Sequence, residues 1–487
     1  MFEGLNSLYS SLPYFTEEDY DKYENYLAPA VVEMLNEGEV SQYGSIKFSW
    51  DEFESLPDQL YNFMKLYGRV VYNKNPMLLE NYDNLGKLEL DPQNFDIFSR
   101  GKPYYFLDVN KNERGEMSYS AQDFKYDILY LSNLLNNVKK IKFDSDKLKK
   151  KIELSIADHI LNLGVWLPYI TLNAMAFSRH KKKVPLYNKT LADLIGYEDN
   201  KHKNGYVRFE SDLKYAIKFG ELTSDLFVNI LIGKEDYDAS SLEDILKKID
   251  LEGIIETYPK YRMREGDNNF ENYLHAINVL NKLQNSDSKE IFDKVASILW
   301  SGATVGSILN SLLNLKGFNV DWSLVKYSSH EPYLIKNLGK SLNEDLDSLV
   351  KVMYNPKEVS SYFEKQIEAL ERFYLKQFSN SKGVILADDV LGTGRTFYLS
   401  YKLIALCGVS RIYPTSVELS PHALDNIGSA KFINQKGEEQ VMMSYFGMKS
   451  LHYPPSFKHT SNRTKSLIYK KIGKQEVTIG DIESKMN

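Results

Sequence analysis

Two adjacent carboxylates, Asp388 and Asp389, follow the apolar run GVILA and precede a small-residue loop, VLGTGRT. The run is apolar without alternation, as in a parallel strand buried on both faces. The aspartates are therefore expected where that strand leaves its sheet, the edge at which open α/β folds take ligands. Gly392, Thr393, Gly394, Arg395 and Thr396 come next and lead into a helical pattern, FYLSYKLIALCG. Backbone N–H groups of such a loop, set at a helix N-terminus, make an anion site suited to a phosphate. The Thr393 and Thr396 hydroxyls add donors. One short segment thus offers acceptors for hydroxyls and donors for a phosphate, the complements of a ribose 5-phosphate.

Two other phosphate motifs fit these residues less well. A nucleotide P-loop needs a Lys directly after its last glycine, and here Arg395 stands between Gly394 and Thr396 with a different spacing. A dinucleotide G-x-G-x-x-G would need a third glycine where Phe397 stands, and its acid should follow the loop rather than precede it. A solvated Asp-Asp turn accounts for the pair alone, but not for strand, pair, loop and helix in succession.

The elements that must position this segment begin near residue 290. KVASILW reads as a strand, SGATVG as a tight loop, SILNSLLNLKG as a helix closed by Gly317, and VDWSLVKYS as a second strand. That is a βαβ unit and implies parallel strands. GVILA, the Asp-Asp loop, its helix and the strand RIYPTSVEL form another. Pro414 inside the last strand marks an edge or a bend.

VILADDVLGTGRT is similar to the ribose-phosphate motif of the type I phosphoribosyltransferases, and its wording is closest to the pyrimidine-operon regulators of that fold. The resemblance covers about residues 290–425. It implies that Asp388 and Asp389 hold the ribose hydroxyls of phosphoribosyl pyrophosphate, and that Gly392, Thr393, Gly394, Arg395 and Thr396 wrap the 5-phosphate. It implies a pyrophosphate loop at Ser301, Gly302, Ala303 and Thr304, with Lys326 facing the pyrophosphate. Mg²⁺ would arrive with the ligand and lie near Asp388 and Asp389, so no direct protein ligand to a metal is assigned. Members acting on 6-oxopurines carry an Asp where Gly392 stands, which counts against that substrate group. The interval from His330 to Gly383 is longer than the family's closing loop and reads as a helical insertion over about 331–380. His330 reads as a surface or packing residue, and no general base is assigned. Tyr445, Phe446 and Tyr453 are candidates for stacking on a base, or else core aromatics.

The expected fold is an α/β domain of this family, residues 256–487, preceded by a mainly helical region, residues 1–255, of one or two subdomains. In that region Thr16–Asp19 reads as a helix start, 121–138 as a helix, and Asp146–Phe177 as a longer one kinked or broken at Pro168. The basic run Arg179–Lys183 suits either a phosphate-contacting winged helix-turn-helix or a solvated loop.

A chain of 487 residues with 43% hydrophobic and 26% charged residues is long enough for more than one core. A net charge of −6 argues against a nucleic-acid coat. The single cysteine, Cys407, excludes an intramolecular disulfide and fits a reducing compartment. No signal peptide and no apolar run long enough to span a membrane is read, so the chain is expected in the cytoplasm, away from membranes, as a homo-oligomer. The expected activity is transfer of phosphoribosyl from phosphoribosyl pyrophosphate, or the reverse reaction on a nucleotide, with the acceptor open. The alternative is a silent sensor or effector whose helical half binds a protein or nucleic acid.

Overall fold

The computed structural model describes, short gaps aside, residues 23–60, 120–177, 209–257, 269–284, 292–326, 374–391 and 395–419, with two short strands near 432–440. The readings at Thr16–Asp19, Arg179–Lys183, the greater part of 331–380, His330, Tyr445, Phe446 and Tyr453 lie outside these residues. Two compact units are present, one drawn from Thr16–Ala174 and Phe209–Leu274, the other from His275–Asn487.

The first unit is helical: α1 (Pro29–Asn36), α2 (Ala121–Val138), α3 (Asp146–Phe177), α4 (Glu210–Leu231), α5 (Ser240–Leu246), α6 (Leu251–Thr257) and the start of α7 (Asn269–Gln284). Helices α2, α3 and α4 meet at Phe124, whose ring lies 5.4 Å from that of Trp166 and 6.2 Å from that of Phe219. Close approach of α3 to α4 depends on Gly164, where a Cβ would fall 1.9 Å from Thr223 Oγ1. Of the kink or break expected at Pro168, the break does not occur, and α3 runs without interruption from 146 to 177. Long flanks of buried Leu and Ile on either side hold the helix through the one missing N–H. Lys151 on α3 is fully buried, with Nζ 2.9 Å from Glu39 Oε1 and 2.8 Å from Glu52 Oε1.

The second unit is a parallel sheet with helices. It comprises β1 (Lys294–Leu299), α8 (Gly302–Leu315), β2 (Asp321–Lys326), β3 (Val384–Leu391), α9 (Arg395–Leu406) and β4 (Ile412–Leu419). A separate short antiparallel pair follows, β5 (Phe432–Ile433) with β6 (Glu439–Gln440). The four long strands are all parallel, in the order β2-β1-β3-β4. Strands β1 and β3 lie in the middle and are buried almost throughout, in keeping with their predominantly apolar sequences up to Leu299 and Ala387. Strand β4 is an edge, which tolerates the missing N–H of Pro414.

The segment SGATVG, expected as a loop, is already helix from Gly302 onward. Packing decides this against glycine's poor helix propensity, because α8 is buried from Gly302 to Leu313. At Gly306 a Cβ would fall 1.8 Å from Ser297 Oγ, the atom that accepts the Trp322 indole N–H at 2.8 Å. Helix α8 ends as expected at Gly317, with φ +85°. The Phe318 N–H bonds Leu313 O and the Gly317 N–H bonds Asn314 O, a Schellman closure. Cys407 is buried at the end of α9.

Candidate functional site

The chain leaves β1 in one direction, to β2, and β3 in the other, to β4, so the strand order reverses between β1 and β3. In open α/β sheets the crevice for a ligand lies at the carboxyl ends of the strands on either side of such a reversal. The carboxyl end of β1 leads into Gly302 and α8, and that of β3 carries Asp388 and Asp389.

Asp388 and Asp389 lie within β3, rather than beyond its end as expected, because pairing with β4 continues through Asp388↔Ser416 and Val390↔Glu418 to Leu391↔Leu419. Pairing with β1 stops earlier, at Ser297↔Ala387. Among the described residues, strand pairing of β3 from Asp388 onward is with β4, and the first residue of α8 packs against it. The fit there is close. A Cβ at Gly302 would stand 2.6 Å from Ala387 O, 2.8 Å from Asp388 Cα and 3.1 Å from Asp388 Oδ1. Only glycine allows the helix start to approach the aspartate backbone in this way.

Both carboxylates are largely buried, at 6% and 9% exposure. Asp388 Oδ1 accepts the Asp389 N–H at 3.0 Å, and Asp389 Oδ1 accepts the Val390 N–H at 2.6 Å. These bonds fix the orientation of each side chain against its own backbone. Ser416 Oγ donates to Asp389 O at 3.2 Å, which ties the segment to β4. One residue earlier, Thr415 Oγ1 lies 3.0 Å from His275 Nε2, within the same unit.

Six of the other expected site residues are described. Gly302, Ala303 and Thr304 form the first turn of α8, all buried, with no acidic side chain among them. Arg395 opens α9, and Thr396 follows in its first turn, which also lacks an acid. Ser400 Oγ donates to Thr396 O at 2.9 Å. Two helix N-termini therefore lie at the carboxyl ends of β1 and β3, one directly against Asp388. Lys326 is the last residue of β2, opposite Leu299. Extending the register across β1 puts it level with Asp389, two strand spacings or about 10 Å away. Its N–H donates to the Tyr374 hydroxyl at 2.9 Å, which pins the strand end. Ser301, Gly392, Thr393 and Gly394 lie outside the described residues.

Sequence reading missed His275, Ser416 and Tyr374. His275 and Tyr374 come from outside the strand–loop–helix stretches that were read, Ser416 lies within the strand RIYPTSVEL, and no local pattern marks any of them. Among the described residues no group of three or more His, Cys, Asp or Glu is placed to hold a metal ion. No helix among them is long and apolar enough to cross a membrane. No protein-family model, curated protein or solved structure matches the chain.

Proposed function

We propose that the sheet unit binds phosphoribosyl pyrophosphate, or a nucleotide made from it, and transfers phosphoribosyl to an acceptor with release of pyrophosphate. One observation carries the reading: a buried carboxylate pair stands at the strand-order reversal with a glycine-led helix start packed onto it. The pair supplies acceptors for two hydroxyls. The first turns of α8 and α9 supply N–H donors at an end of the helix dipole that favours phosphate. Lys326, about 10 Å along the same edge, suits the far end of a ligand that carries phosphate at both ends.

Mg²⁺ fits this donor set. Two carboxylates are hard oxygen donors, and Mg²⁺ in nucleotide and phosphate sites commonly takes only one or two carboxylates, with phosphates and water completing its shell. When bound it would neutralise charge on the departing pyrophosphate. The chain's own residues do the positioning. Asp388 and Asp389 orient the ribose hydroxyls, the two helix starts hold the phosphates, and Lys326 meets charge that grows on the leaving group. Displacement at an anomeric carbon needs no strong base, and none is assigned.

Titration calorimetry of the full chain with phosphoribosyl pyrophosphate and Mg²⁺ tests the reading. The wild type is expected to bind in the micromolar range, and Asp389→Asn to lose at least about tenfold in affinity, or about 1.4 kcal/mol. Equal binding by both proteins, or none by either, would remove the assignment. Binding with no pyrophosphate release against any base would make the domain a sensor rather than an enzyme.

A further inference from the structure

In the helical unit, Asp158 and Asn162 stand one turn apart on α3 and face Asn269, the first residue of α7. Asn269 Nδ2 donates to Asp158 Oδ1 at 2.6 Å and to Asn162 Oδ1 at 3.0 Å. Asn162 Nδ2 donates to Asp158 Oδ2 at 3.3 Å. The three side chains close a ring in which each bonds the other two. Asn269 is only 2% exposed, and its own Oδ1 is buried with no hydrogen-bond partner. A buried acceptor left over beside a carboxylate is costly unless it has a second use.

We propose that Asp158 and Asn269 form a proton-operated latch that fastens the first turn of α7 to α3 in two alternative ways. With Asp158 ionised, the carboxylate accepts from both amides, as the structure shows. When Asp158 takes a proton from solvent, the new O–H needs an acceptor, and the charge that strengthened both amide bonds is lost. The Asn269 amide then turns over, so that its reserve Oδ1 accepts the carboxyl O–H and its bond to Asn162 Oδ1 is given up, a weaker fastening than the ionised one. The 2.6 Å separation lies within the range of an O–H···O bond. Only an O–H bond forms, and it breaks again when the proton returns to solvent.

The surroundings leave the carboxyl free to titrate on its own. Burial and the two amides are the influences on it, and burial prevails, pushing Asp158 up to about 6. Its helix neighbour His159 is held neutral by burial. Glu271 is the acidic residue in the first turn of α7. The latch belongs to the helical unit and does not depend on the ligand reading of the sheet.

Hydrogen–deuterium exchange of the full-length protein tests it, read on peptides covering residues 269–274 between pH 5 and 8 and corrected for intrinsic exchange. Wild-type protection is expected to fall by about tenfold as pH drops through one titration centred near pH 6. Asp158→Asn should give a flat profile. Asn269→Ala should move the midpoint upward, since the carboxylate loses the stronger of its two donors. A wild-type profile with no step overturns the proposal, as does the same step in Asp158→Asn. Where Asp158→Asn does not fold, an unmoved midpoint in Asn269→Ala overturns it equally.

Discussion

Replacing Gly302 by alanine tests whether the start of α8 belongs to the ligand site. The added methyl would lie 2.6 Å from Ala387 O and 2.8 Å from Asp388 Cα. The first contact falls about 0.8 Å inside ordinary van der Waals distance. Both contacted atoms are backbone in a central strand, so no side chain can rotate away, and the helix start must lift from β3. Overpacking of this kind costs about 1–3 kcal/mol, offset by up to about 1 kcal/mol from alanine's better helix propensity. A net loss of about 1–2 kcal/mol is expected in urea unfolding followed by circular dichroism. The effect on binding should be larger, because a displacement near 1 Å between groups that share a ligand can cost about a hundredfold. Gly317→Ala is the matched control. Its Cβ meets nothing within 4 Å, so it bears the strain of φ +85° without moving the site. Calorimetry with phosphoribosyl pyrophosphate and Mg²⁺ should show affinity lost in Gly302→Ala and kept in Gly317→Ala. Equal affinity in all three proteins would refute the reasoning, since α8 would then pack on Asp388 without serving a ligand.

Gly306→Ala should destabilise by about 2–3 kcal/mol, because its methyl evicts Ser297 Oγ from the Trp322 indole. Adding Ser297→Ala should recover about 1 kcal/mol, read as coupling in a double-mutant cycle. Lys151→Met is expected to cost about 1–3 kcal/mol at neutral pH, measured by thermal unfolding, since it takes the lysine from Glu52 and leaves Glu39 to Lys147, both glutamates being about one-fifth exposed. Burial lowers His159 from 6.5 to about 3 in the folded chain. The unfolded chain therefore binds that proton first, and stability falls as pH drops below 6.5. His159→Leu should reduce the loss at pH 5 by about 2 kcal/mol. Asp158 acts in the opposite sense. Raised from 3.8 to about 6, it costs up to about 3 kcal/mol above pH 6 and gives this back as pH falls towards 4. Asp158→Asn should accordingly stabilise the chain at pH 7.5, and a destabilisation there of more than about 1 kcal/mol would contradict the assigned burial cost.

Much of the sheet could be read from the chain, and the reasons are physical. The apolar run at 383–387 lacks alternation because both faces are covered. Pro414 marked an edge because it cannot donate to a second neighbour. Gly317 marked a helix end because its left-handed backbone is cheap only for glycine. The limits of the elements around the site were harder to read. Gly302-Ala303-Thr304 has the composition of a loop, and it is helical through contact with a strand more than eighty residues away in sequence. Asp-Asp-Val-Leu has the composition of a turn, and it stays extended because β4 supplies partners as far as Leu419. Pro168 argued for a kink or a break, and flanking packing carries the helix through without a break. Asp158 and Asn269 are separated by 111 positions, so no window of sequence could bring them together.

The contact among Ser297, Gly306 and Trp322 also bears on how this chain can diverge. The serine hydroxyl occupies the space that glycine vacates, and the tryptophan depends on the hydroxyl for its buried N–H. A lineage that acquires a side chain at 306 must surrender the serine, and with it the reason for an indole at 322. The three positions are thus expected to be inherited together or exchanged together. Distant descendants of this protein should be traceable by that joint substitution even where the aspartate segment has drifted.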